Sequence, residues 1–74
     1  MNATVLTQKA IEVATDLAAS GDSNLNRIYG WSLACKAADV RDQNAAWPIY
    51  SAALETELAR LGHRRAISNN LGGI

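Results

Sequence analysis

The chain has 74 residues, 49% of them hydrophobic but only 5% aromatic, and its seven basic and seven acidic side chains cancel to zero formal net charge. One cysteine, Cys35, and one histidine, His63, exclude an intrachain disulfide and a zinc shell built from Cys and His. The charge balance lacks the basic excess on which phosphate binding rests.

A chain this short buries only about 60% of its unfolded surface, so close helix packing or self-association must supply its stability. No apolar run approaches the roughly 18 residues of a membrane span. The N-terminus has neither the charged region nor the continuous apolar core of a signal peptide. Together with a free thiol, this points to the cytoplasm.

The first helix is expected from Thr4 to Ala19. Leu6, Ala10, Val13, Ala14 and Leu17 form one stripe, widened by Ile11 and Ala18 and opposed by Lys9, Glu12 and Asp16. Gly21 suits the left-handed position that ends a helix, and Ser23 or Asn24 can cap the next one.

The second helix is expected to start near Asn24 or Leu25 and to end between Asp39 and Asp42. It is apolar on two sides. Tyr29, Leu33, Ala37 and Val40 share one stripe, and Ile28, Trp31, Cys35 and Ala38 share another, with Ser32, Lys36 and Asp39 between them. Such a helix has to be covered from two directions. Gly30 inside it costs roughly 1 kcal/mol relative to Ala and either permits close approach of another backbone or is simply tolerated.

Pro48 fits the first turn of a third helix, with Asn44 or Trp47 at the boundary and Arg41-Asp42-Gln43-Asn44 as the preceding connection. Trp47, Tyr50, Leu54, Leu58 and Leu61 then make a stripe that stops at Gly62. Residues 63–74 read as a basic, then Gly-rich tail, in which Arg64 to Leu71 allows a short fourth helical turn.

The architecture expected is a single all-α domain, a small three-helix bundle with short connections. Folding the second and third helices antiparallel about residue 42 sets Leu33 beside Tyr50, Tyr29 beside Leu54 and Leu25 beside Leu58. The first helix then covers the remaining side.

Motifs for catalysis are missing. Cys35 lies mid-helix among Ile28, Trp31 and Ala38, where a buried, inert thiol is expected rather than a nucleophile served by His63. Glu12 with Asp16, and Glu55 with Glu57, read as solvated carboxylates on helix faces. There is no phosphate loop, metal motif or cofactor signature, so no catalytic, cofactor or metal residue is assigned.

Trp31 is the residue that stands out, because its stripe needs either the first helix or a partner to cover it. The expectation is a non-enzymatic interaction module: an adaptor, inhibitor or modulator of a larger assembly, of the phage or plasmid kind. It docks on another protein or on a second copy of itself. Trp31, Ile28 and Arg27 carry the contact, with Arg64 and Arg65 as electrostatic support. The alternative is a small nucleic-acid-binding regulator using the basic cluster from Arg60 to Arg65, whose plainer role is to complement a helix C-terminus.

Overall fold

The computed structural model describes residues 1–63, and within them the fold is a small all-α bundle of three helices: α1 (Ala3–Ser20), α2 (Asn24–Ala37) and α3 (Gln43–Arg60). Each helix starts on a side-chain cap that satisfies backbone donors having no intrahelical partner. Asn2 Oδ1 accepts from the Val5 N–H at 3.1 Å, and Ser23 Oγ accepts from the Asn26 N–H at 3.0 Å. Asp42 Oδ1 accepts from the N–H groups of Asn44 and Ala45 at 3.1 and 3.4 Å.

The helices end in the same physical terms. Gly21 sits at φ 123° after α1, with its N–H donating to Leu17 O at 3.0 Å. After α3, Gly62 at φ 76° donates to Ala59 O and His63 donates to Leu58 O, the paired bonds of a left-handed helix stop. The same pair closes α2: Asp39 donates to Lys36 O and Val40 to Cys35 O, with Asp39 itself left-handed at φ 53°. The second helix is therefore shorter than its sequence suggests, because an aspartate fills the place where glycine is usual.

The third helix begins earlier than expected. Asp42 caps it, so Gln43 and Asn44 are helical rather than connecting, and Pro48 lies inside the helix instead of at its start. Proline this far in cannot donate to the carbonyl of Asn44, and that residue is exposed to water.

The three helices run up, down and up. Asn2 N–H reaches Ala38 O at 2.8 Å, pinning the start of α1 to the end of α2. At the opposite pole, His63 Nε2 lies 3.0 Å from Asp22 Oδ2 and Arg27 reaches Glu55, so α3 ends where α2 begins. α1 is the central element, packing on both others. The core is Leu6, Ala10, Ala14 and Leu17 of α1, Ala34 and Ala38 at the end of α2, and Ala46, Tyr50, Leu54 and Leu58 of α3. Five of these ten are alanines, each burying little area, so the core depends on short distances between helix axes.

Two expected surfaces are corrected. Ile11 and Ala18 do not widen the buried stripe of α1; both are exposed. The layers Leu33–Tyr50, Tyr29–Leu54 and Leu25–Leu58 do not form either, because Leu25, Tyr29 and Leu33 face solvent. The antiparallel sense is as expected, but α2 is turned roughly half a revolution about its axis. Gly30, Ala34 and Ala38 meet α1, while Arg27 and Trp31 meet α3.

Candidate interaction face

The orientation of α2 follows from what its inner side does. A Cβ added to Gly30 would lie 2.7 and 2.8 Å from the Cγ atoms of Val13, so the α1–α2 contact is closer there than any side chain allows. One turn away, the Arg27 guanidinium grips Asp22 with two bonds, Nε to Oδ1 at 2.6 Å and Nη2 to Oδ2 at 2.8 Å. Its Nη1 donates to Glu55 Oε2 at 2.8 Å. The carboxylate of Asp22, with Glu55 adding to it, raises the guanidinium above its already high pKa against the opposing effect of burial. This cluster ties the α1–α2 connection, α2 and α3 together at one pole. Arg27, expected as a contact residue, is thus occupied within its own chain.

Trp31 packs at the other level of the α2–α3 seam. Its ring centroid lies 4.8 Å from that of Tyr50, and it meets Trp47 edge to face at 5.1 Å and 82°. Neither the first helix nor a partner supplies this contact; α3 does. Tyr50 is completely buried, and its hydroxyl has no hydrogen-bond partner. Burial, then the neighbouring Cys35, push that phenol up to about 12, with Arg27 opposing. Cys35 is half-buried, and burial raises its thiol as well. A raised thiol is a poor nucleophile near neutral pH.

With the inner side committed, the outer side of α2 is left apolar and uncovered among the described residues. Leu25 is 75% exposed, Ile28 62%, Tyr29 65% and Leu33 48%. At positions i, i+3, i+4 and i+8 they share one face of the helix, with Ser32 and Lys36 set among them. At roughly 200 Å² per residue these exposures amount to roughly 500 Å², large for a domain of this size. Beside it, α1 and α2 enclose a groove of about 260 Å³ with Val13, Leu17, Tyr29, Gly30 and Leu33 as walls and Asp16 and Asn26 on the rim. The groove continues toward Lys9, Glu12 and Lys36.

Of the residues singled out from sequence, Ile28 lies on this face, Trp31 borders it half-buried, and Arg27 lies behind it. Arg64 and Arg65, with the rest of the tail after His63, are outside the described residues. Arg60 of the basic cluster makes two bonds to Glu57, at 2.8 and 2.6 Å, which hold that carboxyl below its usual range, and His63 faces Asp22. Sequence reasoning missed Leu25, Tyr29 and Leu33 as surface because it placed them in the core. The signal was the line Gly30–Ala34–Ala38, whose small side chains mark the side of closest approach.

Among the described residues no three His, Cys, Asp or Glu side chains gather to hold a metal, and no helix is long and apolar enough to cross a membrane. Comparison with protein-family models, curated proteins and solved structures returns no match for this chain.

Proposed function

We propose that this chain is a non-enzymatic protein–protein interaction module whose docking surface is the outer face of α2. One observation supports the reading above the others: Leu25, Ile28, Tyr29 and Leu33 share one largely apolar helix face that the fold leaves open. An exposed apolar patch of this extent matches the largest patch of a typical monomer, which is often functional, and a helix face with anchors at i, i+3, i+4 and i+8 suits helix-to-helix docking. Tyr29 adds a large, stiff side chain with a polar tip, the kind enriched at binding hot spots. The nucleic-acid reading has less support, since Arg60 and His63 are already engaged by carboxylates of their own chain.

Site-specific photocrosslinking in the source cells tests the reading. A photoreactive residue at position 29 should give discrete protein adducts, whereas the same residue at exposed position 56 of α3 should give none. Absence of adducts from position 29, or an identical pattern from both positions, would overturn it.

A further inference from the structure

We propose that the partner of this face is a second copy of the chain, paired α2 against α2, antiparallel, about a twofold axis at Tyr29. The inference rests on reading the outer face of α2 as a docking surface and adds its occupant.

A twofold interface uses the same patch on both copies, so that patch must be complementary to itself. This one is. With Tyr29 on the axis, Leu25 of one copy falls opposite Leu33 of the other, and the reverse, while the two Tyr29 rings meet at the centre. The charges follow the same symmetry. Lys36 stands at the C-terminal end of the face, and Asp16 of α1 stands toward the other end, sharing the groove rim with Asn26. Both are exposed, and among the described residues neither makes an ion pair. Antiparallel pairing carries each Lys36 toward Asp16 of the other copy. Parallel pairing would instead set Lys36 beside Lys36.

Area agrees with a reversible dimer. Two faces of roughly 500 Å² bury at most about 1,000 Å² in total, which places the pair among weak, transient interfaces. Pairing at this limit is expected in the micromolar range rather than as an obligate assembly. Zero net charge leaves no long-range repulsion between copies.

Sedimentation of the full chain from about 1 to about 500 µM tests the proposal. The expected result is a rise in mass from one copy to two. The variant Leu25→Glu with Leu33→Glu should stay monomeric over that range with an unchanged helical spectrum. Asp16→Lys should weaken pairing several-fold, and adding Lys36→Glu to it should restore the original affinity. In a Cys35→Ser background, Tyr29→Cys should form a disulfide-linked dimer on mild oxidation, because residues on the axis approach within disulfide reach.

A chain that remains monomeric at the highest concentration overturns the proposal. So does a dimer that survives the double glutamate variant, or one whose charge variants are not mutually compensating. The position-29 photocrosslinks separate this failure from failure of the docking reading. Adducts of two copies support both. Adducts with a different protein keep the docking face and overturn the self-pairing. Links confined to one chain, onto residues 64–74, overturn both.

Discussion

Replacing Gly30 by alanine sets two effects of known size against each other. Helix propensity alone favours alanine by about 1 kcal/mol in a helix interior. Packing opposes it: the new methyl would stand 2.7 and 2.8 Å from the two Cγ atoms of Val13 and 3.3 Å from its Cβ. Ordinary carbon contacts lie near 3.5–4.0 Å, so the shortfall is close to ~0.8 Å. Val13 cannot swing aside, because a β-branched side chain in a helix has one strongly preferred rotamer. The α1–α2 seam must open, at the upper end of the roughly 1–3 kcal/mol that overpacking costs. The net result is a loss of about 1–2 kcal/mol, or a Tm lower by about 5–15 °C in a domain this small. Thermal unfolding followed by circular dichroism reads it directly. A double-mutant cycle isolates the cause: in a Val13→Ala background, Gly30→Ala should become neutral or stabilising, a coupling of at least about 1.5 kcal/mol. A higher Tm for Gly30→Ala alone, or strictly additive effects, would refute the close approach as the reason for glycine at this position.

Other consequences follow from the same seam. Arg27→Ala removes a bidentate partner from the nearly buried Asp22 carboxylate and a tie to α3, and should cost about 2–3 kcal/mol in urea unfolding. Arg27→Lys should recover only part, since an ammonium cannot grip one carboxylate with a fork and reach another. Tyr50→Phe should raise stability by about 1 kcal/mol by deleting a buried hydroxyl without a partner. The phenol also dictates an alkaline limit. Burial raises it to about 12 in the folded chain, so its contribution is complete below the ordinary value of 10.0 and is lost as pH rises from there through 12. That loss, about 2 kcal/mol, should vanish in Tyr50→Phe, leaving the smaller decline at lower pH contributed by the raised thiol of Cys35. Asp39→Gly should gain about 0.5–1 kcal/mol at the end of α2, where φ 53° strains aspartate, and urea midpoints at constant slope measure it.

Number, order and antiparallel sense of the helices are legible in the sequence because Gly21, Ser23 and Gly62 punctuate it in recognisable positions. The misplaced boundaries share a cause. Asp39, read as a polar residue of the second helix, is its left-handed stop, and Asp42, read as part of the connection, is an N-cap; neither role announces itself by composition. Pro48 misleads in the opposite way: it is compatible with a helix start but sits inside one. The rotation of α2 is the deeper difficulty. Counting apolar residues favours Leu25, Tyr29 and Leu33 as the core side, since they outweigh Gly30, Ala34 and Ala38 in area. Distance decides otherwise. Small residues let α1 approach, and Arg27 can satisfy Asp22 and Glu55 only when it faces them.

That competition also bears on function. The bundle buries its core without help from positions 25, 28, 29 or 33, and none of these belongs to the core or packs against it as a partly buried neighbour. Polar residues at Leu25 and Ile28, the most exposed of the four with Tyr29, would cost the fold little and would lower the risk of nonspecific association. The inner side of α2 therefore accounts for the structure of this chain, while the outer side exceeds what the structure requires. That apolar area lies on a helix tied at both poles, by the Asn2–Ala38 hydrogen bond and by the Asp22–Arg27–Glu55 cluster. Under the docking reading, a helix tied in this way incurs little ordering cost on binding. Trp31 fits the same logic from behind the face: packed against Trp47 and Tyr50, it braces α2 against α3 and fixes the direction in which Ile28 points.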